Sequence, residues 1–254
     1  MIKVTALYRY PVKGLSPEHL TDVRLDEGET MPFDRAFAIE NGPSGFDPEN
    51  PQHLPKIRFL MLMKNERLAT FESRFDEATQ ELSVRPKDGG SAGFSGSLAT
   101  PEGRAALEAW VAEEFAAELR GPPRLLRVPG HSFSDVSTKS LHLVNLASLR
   151  AFEEKLGRSL DPLRFRPNIV IDGAPPFAEF DWIGKTLDLP EITLSGRKRT
   201  QRCAATNVDP KTGARDAALP RALLELYGHS DFGIYLTAAT AGSLREGDAF
   251  SLPA

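Results

Sequence analysis

The stretch RKRTQRCAATNVDPKTGARD, residues 197–216, contains the only cysteine of the 254-residue chain, Cys203. Basic residues crowd the positions just before it, and the turn-rich segment TNVDPKTG follows it directly. The basic residues are Arg197, Lys198, Arg199 and Arg202. This pattern predicts a strand that ends near Cys203 and feeds a tight loop, in which Asp209 organises the turn rather than donating a proton.

Two interpretations of this thiol are open on physical grounds. Nearby cations favour the nucleophilic and metal-binding thiolate form of a cysteine, and they also supply charge-assisted hydrogen bonds to an anion. Alternatively, Cys203 is a small buried apolar residue, as free cysteines commonly are, and the cations form a solvated strand face. One soft ligand beside an anion cradle suits a cofactor that carries both a soft metal and a phosphate.

Composition narrows the class of protein. A hydrophobic content of 41% supports a globular core in one large or two small domains, and a net charge of −4 argues against a nucleic-acid partner. One cysteine cannot form an internal disulfide, a four-cysteine zinc site or an iron–sulfur cluster, and the histidines lack metal-site spacing. The longest apolar run, FLMLM at 59–63, is too short to span a membrane. We therefore expect a cytoplasmic protein with no membrane partner.

Short apolar and alternating segments bounded by turn residues predict a mainly β fold with a few helices, of the α+β class. Residues 68–86 predict a hairpin, and residues 242–252 predict a second, hairpin-like segment. A helix capped by Thr100 is expected to continue to Gly121. Many short strands with few helices favour a barrel-like architecture over a parallel doubly wound sheet.

The Gly-Pro-Pro sequence at 121–123 marks the expected domain boundary. It divides the chain into a smaller β-rich amino-terminal domain, residues 1–121, and a β-barrel-like domain, residues 122–254. Crevices between domains are frequent ligand sites, so the boundary also predicts where a cofactor would lie.

The segment RCAATNVDPKTG, together with RFRPNIVIDG at 164–173, resembles the MOSC domain, named after the carboxy-terminal domain of molybdenum-cofactor sulfurase. The segments YPVKG at 10–14 and FDRAFAI at 33–39 resemble the β-rich MOSC N-terminal β-barrel domain that precedes it. The resemblance spans nearly the whole chain. Its nearest group is the bacterial and mitochondrial amidoxime-reducing proteins.

The resemblance implies a molybdenum cofactor, Mo-molybdopterin, bound in the crevice between the two domains. Cys203 would be the protein ligand of molybdenum and the catalytic residue. The further cofactor contacts expected here are Lys13, Arg35, Ser137, Thr138, Arg166, Asn168, Gln201, Arg202 and Tyr235. For Lys13, Arg35 and Arg166 the alternative is an ordinary ion pair at the protein surface.

The chain departs from the family pattern at two places. Close relatives carry serine after the YPVK lysine, where this chain has Gly14, and the segment that precedes the apolar run is replaced by the proline-rich loop 41–56. The loop is expected to alter the substrate entrance. Some bacterial relatives carry a fused ferredoxin-like domain, for which this chain has no cysteines.

The leading hypothesis for function is reduction of N-hydroxylated compounds, such as amidoximes and hydroxylamino bases, with electrons from a separate iron–sulfur or flavin protein. A second hypothesis is a sulfur carrier, in which Cys203 holds a persulfide and no metal is bound. A third is a protein that binds the molybdenum cofactor without turnover. Physiological substrate, electron donor and oligomeric state are not encoded in any motif of the chain.

Overall fold

The computed structural model describes residues 1–90 and 93–251 of the chain. The strands are β1 Ile2–Arg9, β2 Glu18–Leu20, β3 Asp22–Leu25, β4 Phe37–Ile39, β5 Phe71–Phe75, β6 Glu81–Pro86, β7 Phe94–Ser97, β8 Leu125–Arg127, β9 Leu141–Asn145, β10 Ile169–Asp172, β11 Thr186–Asp188, β12 Thr193–Gln201, β13 Asp231–Ala238, β14 Gly242–Arg245 and β15 Ala249–Phe250. The helices are α1 Pro101–Glu114, α2 Leu146–Leu156 and α3 Leu219–Tyr227. The predicted mainly β fold with a few helices is confirmed.

The larger sheet has the strand order β11-β12-β13-β9-β10-β1-β15, and β2 pairs with β1. Its neighbours are antiparallel except for β9 and β10, which run parallel. The sheet is open, because its terminal strands β11 and β15 do not pair with each other. Its core consists mainly of aliphatic side chains, with Met31, Phe180, Phe250 and the fully buried Trp182.

A β-bulge in β1 determines which side chains of this strand face the core. Ile2 and Val4 are buried, whereas the buried positions after the bulge are Leu7 and Arg9. The register against β10 shifts between Val4 and Ala6, and an inserted residue changes the parity of the strand. The bulge therefore directs the carboxyl end of β1, and the residues that follow it, toward the crevice described below.

The two hydrophobic cores do not correspond to two continuous segments of the chain. Strand β1 pairs with β10 in the larger sheet, and β3 pairs with β14 in a separate two-stranded sheet, so the first strands of the chain pair with strands of its carboxyl-terminal part. Conversely, β8 pairs with β4 of the amino-terminal part. The sequence-based boundary after residue 121 falls in the loop before β8, and it stays a prediction.

The smaller core lies between the β5-β6-β7 sheet and α1. Strands β5 and β6 form the predicted hairpin. The backbone N–H of Gly103 donates to Thr100 Oγ1 at 3.1 Å, as expected of a helix cap. Helix α1 ends at Glu114, so the prediction that it reaches Gly121 is wrong. The helical spacing misleads there because Phe115 and Leu119, which follow the helix, still pack in or against the core.

The predicted hairpin-like segment at 242–252 is wrong over its described residues. Strand β14 pairs with β3, and β15 pairs with β1, instead of with each other. Residue 252 lies outside the described residues. Strands β14 and β15, from the carboxyl-terminal part of the chain, thus hold the amino-terminal strands β3 and β1 in place. Local turn residues do not encode such long-range pairing.

Helices α2 and α3 cover one side of the larger sheet through a third apolar cluster. The side chain of Asn145 accepts a hydrogen bond from the backbone N–H of Ala147 and caps α2, and Gly157 ends the helix with a φ of 72°. These caps lie where the sequence predicts them. Because β9 runs directly into α2, this cap also fixes the carboxyl end of a central strand of the larger sheet.

Candidate cofactor site

A crevice between the two cores collects most of the residues singled out from the sequence. It encloses about 820 Å³ of space, its open mouth included. Its predicted lining residues are Lys13, Arg35, Arg166, Asn168, Arg202, Cys203 and Tyr235. Lining residues that the sequence analysis did not select include Asp34, Lys56, Asp135, Ser140 and His142.

Cys203 is held between a strand and a short 3-10 turn. Strand β12 ends at Gln201, and the turn that begins after Cys203 returns a backbone N–H and a hydroxyl from Thr206 to the Cys203 carbonyl at 3.1 and 3.0 Å. Beyond it, Asp209 Oδ1 accepts from the backbone N–H groups of Lys211 and Thr212 at 2.8 and 3.0 Å. The turn-forming role predicted for Asp209 is confirmed.

Only one of the four predicted cations lies with the thiol in the crevice. Arg197, Lys198 and Arg199 are exposed on β12, and among the described residues none of them forms an ion pair. Arg202 is the exception and lines the crevice. The alternative interpretation, a solvated strand face, therefore holds for these three residues, which lie around a β-bulge between Gly196 and Lys198 that interrupts the regular alternation of faces.

The cation in contact with the thiol comes from elsewhere in the chain. Lys56, at the end of the proline-rich loop, places Nζ 3.1 Å from Cys203 Sγ and 2.8 Å from Asp135 Oδ2. Its side chain is 27% exposed, at the mouth of the crevice. The proline-rich loop thus contributes a charged group to the site itself.

Asp135 is shared by two lysines. Lys13 is buried and donates to Asp135 Oδ1 at 2.5 Å and to the carbonyl oxygen of Phe133 at 2.9 Å. Burial lowers the pKa of Lys13, and Asp135 opposes this shift only in part. Desolvation disfavours the charged form of Asp135, but Lys13 and Lys56 outweigh it and hold the pKa of Asp135 well below its usual range.

Two arginines enclose the ring of Tyr10. The guanidinium carbons of Arg35 and Arg166 lie 4.3 and 4.0 Å from the ring centroid, and both residues have a left-handed backbone with φ of 50°. Arg35 forms an ion pair with Asp34 at 2.5 Å, whereas Arg166 donates to the carbonyl oxygen of Leu15 at 2.9 Å. Burial, with repulsion from Arg35, lowers the pKa of Arg166 to about 10.

The burial of Lys13, Arg35 and Arg166 decides against the surface ion pair as an interpretation of these residues. Lys13 is 5% exposed, and the Arg35 side chain is 14% exposed. Arg166 also lies in the crevice. Burying cations without full carboxylate compensation is costly, so the arrangement indicates a site prepared for an anion.

Asn168 ties the crevice to the larger sheet. Its Oδ1 accepts from the backbone N–H of His142 at 3.0 Å, and its Nδ2 donates to the carbonyl oxygen of Tyr8 at 3.0 Å. His142 is buried, and its ring lies 5.7 Å from that of Tyr235. Burial, and then the charge of Arg202, lowers the pKa of His142 well below its ordinary value, so the ring is neutral at physiological pH.

Three predicted contacts lie outside the crevice lining. Ser137 and Thr138 are exposed, and Thr138 Oγ1 is 3.2 Å from the hydroxyl of Ser140, which does line the crevice. Gln201 is exposed at the end of β12 and pairs in register with Asp231. Their roles as cofactor contacts stay predictions.

Residues that the sequence analysis missed reach the site through long-range contacts. Asp34 precedes Arg35 directly in the FDR segment, and this position beside a predicted functional arginine was the one signal for it in the sequence. The structure shows that Asp34 is buried. Lys56, Asp135 and His142 lie in segments without a motif. In the sequence, His142 is only one of five scattered histidines. Tertiary structure alone brings them to Cys203.

The positive charge of the crevice exceeds its local negative charge. Asp135 faces both Lys13 and Lys56, and Asp34 faces Arg35. Within residues 1–90 and 93–251, neither Arg166 nor Arg202 has a carboxylate partner, and Arg202 Nε is buried without a hydrogen-bond partner. The described residues contain no cluster of three His, Cys, Asp or Glu side chains that could hold a metal ion. A metal at Cys203 would need its other ligands from a cofactor.

These features fit a molybdenum cofactor. An orphaned buried guanidinium nitrogen and two arginines without carboxylate partners suit the phosphate and the anionic sulfur atoms of such a group. A single thiol at the wall of the crevice suits a soft metal. Cys203, Lys13, Arg35, Arg166 and Arg202 are the residues that would hold it.

Comparison with known families assigns both parts of the chain. Residues 1–117 match the MOSC N-terminal beta barrel domain, and residues 129–251 match the MOSC domain. The chain belongs to the MOSC-domain family, with both domains in the order that the sequence predicts. The fold is thus that of a MOSC-domain protein.

Among curated proteins, the chain is similar to two groups. It is 32% identical over 120 residues to mitochondrial amidoxime reducing component 2 of Rattus norvegicus, covering 42% of this chain and 35% of that protein. It is 31% identical over 129 residues to mitochondrial amidoxime-reducing component 1 of Homo sapiens, covering 46% and 37%. It is also 34% identical over 113 residues to a molybdenum cofactor sulfurase of Drosophila willistoni, covering 43% and 14%. The alignments span about a third or less of the length of these relatives.

Two solved structures are similar at lower levels. The YUAD protein of Bacillus subtilis matches 98% of this chain and 93% of that chain, with 12% identity and a TM-score of 0.45. YiiM of Geobacillus stearothermophilus matches 45% of this chain and 54% of that chain, with 18% identity and a TM-score of 0.36.

Separately, none of the helices in the described part of the chain is long and apolar enough to cross a membrane.

Proposed function

We propose that the protein is a molybdenum-cofactor-dependent reductase of N-hydroxylated compounds, such as amidoximes and hydroxylamino bases. The observation that carries the proposal is the position of Cys203 in a crevice lined by six cations, of which Arg166 and Arg202 have no carboxylate partner in the described chain. Similarity to amidoxime reducing components supports the choice of reaction.

Different residues of the crevice bind different parts of the cofactor. Arg166, Arg202 and Lys13 bind its negatively charged groups, and Cys203 supplies the thiolate ligand of the metal. The bound cofactor supplies two-electron redox chemistry, by which oxygen leaves the substrate nitrogen as water. Neutral His142 and Asn168 keep Arg202 and the strand ends in position without adding charge.

Electrons reach the site from a separate iron–sulfur or flavin protein in this proposal, since one cysteine cannot hold an iron–sulfur cluster. The exposed basic residues of β12 provide a surface of the sign that an acidic donor would bind. A cytoplasmic location is part of the same hypothesis, because a free functional thiol persists in a reducing compartment.

The first test is molybdenum content and activity of protein made in a host that synthesises the cofactor. Wild-type protein is expected to contain about one molybdenum per chain and to reduce an amidoxime with a chemical electron donor. Cys203→Ala is expected to keep its fold by circular dichroism and to lose at least 100-fold in rate, since it removes the metal ligand. Full activity of Cys203→Ala would refute the proposed reaction.

A sulfur carrier is the second candidate function, and the match to molybdenum cofactor sulfurases favours it. In that case Cys203 holds a persulfide, and purified protein contains labile sulfur released by a thiol reductant but no molybdenum. A cofactor-binding protein without turnover would contain molybdenum and would reduce none of the N-hydroxylated substrates tested. The same preparation therefore separates all three functions.

A further inference from the structure

Lys56 is the charged group that touches the thiol. Its Nζ lies 3.1 Å from Cys203 Sγ and 2.8 Å from Asp135 Oδ2. The side chain is partly exposed, so a molecule that approaches Cys203 from solvent meets the ammonium group at the mouth of the crevice.

Asp135 does not neutralise this ammonium group fully. The same carboxylate receives Lys13 Nζ at 2.5 Å through its other oxygen, so one negative charge faces two positive charges. Arg202, next to the thiol in sequence, has no carboxylate partner in the described chain. The approach to Cys203 therefore keeps a positive charge that is available to a ligand.

We infer that Lys56 is a specificity-determining residue of this site, which selects molecules whose reacting end carries an anionic oxygen over neutral molecules of the same size. The inference rests on the proposed function, in which the selected molecules are substrates. Among N-hydroxylated compounds, it favours those with an ionised oxygen at the reacting end, such as hydroxamates. A charge-assisted hydrogen bond from an ammonium group to such an oxygen is the physical basis.

Lys56 lies outside the segments by which the chain resembles its family. It ends the proline-rich loop 41–56. The loop is fixed on its other side by packing of Phe46 against Phe133, with ring centroids 5.2 Å apart. A substrate preference therefore resides in a segment that is outside the shared motifs.

The test uses metal-free protein and the fact that Cys203 is the only thiol. Iodoacetate, which is anionic, and iodoacetamide, which is neutral and of similar size, each form a carbon–sulfur bond with Cys203 and release iodide. The ratio of the two alkylation rates measures charge selection, because the thiolate fraction affects both rates equally. Lys56→Gln is expected to lower this ratio about fivefold, the effect of one unit charge at about 4 Å in water.

Matched variants make the result specific to charge at this position. Lys56→Met, of similar length and uncharged, is expected to lower the ratio as Lys56→Gln does, and Lys56→Arg is expected to keep it within twofold of wild type. Lys64→Gln, an exposed lysine near the same segment but outside the crevice lining, is expected to leave the ratio unchanged. Circular dichroism verifies that each variant is folded.

An unchanged ratio in both Lys56→Gln and Lys56→Met would overturn the inference, and so would an equally low ratio in Lys56→Arg. These outcomes are independent of the proposed reaction. Wild-type protein without molybdenum or reductase activity would refute the proposed function and leave the alkylation result standing. With cofactor-loaded protein, Lys56→Gln is expected to raise KM for a hydroxamate about fivefold and leave KM for a neutral amidoxime unchanged.

Discussion

Gly14, where the family resemblance predicts a serine, has a backbone φ of +90°. A Cβ atom there would lie 2.8 Å from Leu68 Cδ1 and 3.3 Å from the carbonyl oxygen of Leu60. In this chain, glycine is required by the backbone angle and by the packing of Leu68.

Restoring serine at this position is expected to destabilise the protein. Gly14→Ser combines an unfavourable φ with a steric contact, and we expect a loss of about 2–4 kcal/mol in the free energy of unfolding. Gly28→Ser is the matched control, because its φ is +73° but no atom lies within 4 Å of the added Cβ. It should lose about 1 kcal/mol by denaturant unfolding. Equal losses in the two variants would contradict the role of Leu68.

His142 gives a second prediction at the residue scale, in the pH dependence of stability. Burial and Arg202 hold its pKa in the folded protein well below 6.5, so unfolding takes up a proton below that pH. Stability therefore falls as the pH decreases from 6.5 toward the folded pKa. His142 contributes a loss of about 1 kcal/mol between pH 6.5 and 5.5, which His142→Asn should remove. Parallel pH profiles for the two proteins would contradict this.

At the scale of elements, β12 has two functions along its length. Its carboxyl end leads to Cys203, and its middle presents Arg197 and Lys198 to solvent around a β-bulge, with Lys198 Nζ 5.7 Å from the centroid of Tyr235. Because Tyr235 lines the crevice, the basic surface adjoins the site. The outer edge of β12 is paired with β11 only over its first three residues, so charged side chains also protect an exposed strand edge.

Charge reversal on β12 tests whether this surface binds an acidic electron donor. Arg197→Glu combined with Lys198→Glu is expected to raise KM for the donor about tenfold at low ionic strength, and to leave the rate with a small chemical reductant unchanged. Arg74→Glu combined with Arg85→Glu, on the β5–β6 hairpin, is the matched control and should change neither. A donor KM that is insensitive to both double variants would remove β12 from the interface.

At the scale of the whole molecule, the first strand of the chain belongs to the core of the second domain. Leu7 is fully buried and pairs in register with Ile169 of β10, whereas Leu82 lies in the smaller core of the β5-β6-β7 sheet. The two domains are therefore joined by pairing of β1 with β10 as well as by a linker. The crevice lies where the two cores meet.

This architecture predicts which strands lose protection from hydrogen exchange when a core residue is substituted. Leu7→Ala is expected to cost about 2–5 kcal/mol and to increase hydrogen exchange in β9, β10 and β13, although residue 7 lies in the amino-terminal domain by sequence. Leu82→Ala should cost a similar amount and increase exchange chiefly in β5, β6 and β7. Loss of protection confined to β5–β7 in Leu7→Ala would contradict the pairing of β1 with β10.

The sequence by itself determined the local structure and the identity of the family. Caps at Thr100 and Asn145, the hairpin at 68–86 and the turn at Asp209 depend on neighbours within a few residues, so the sequence encodes them directly. The motif around Cys203, with RFRPN, YPVKG and FDR, likewise identified the two domains and seven of the residues that line the crevice.

Only the tertiary structure decided which charges meet the thiol. Arg197, Lys198 and Arg199 are nearer to Cys203 in sequence, but they lie on the bulged part of β12 and are exposed to solvent. Lys56 reaches Cys203 across 147 positions of sequence, through a loop that carries no motif. The pairing of β14 and β15 with β3 and β1 is of the same kind. Such contacts depend on how distant segments pack against each other, which a local pattern of residues does not specify.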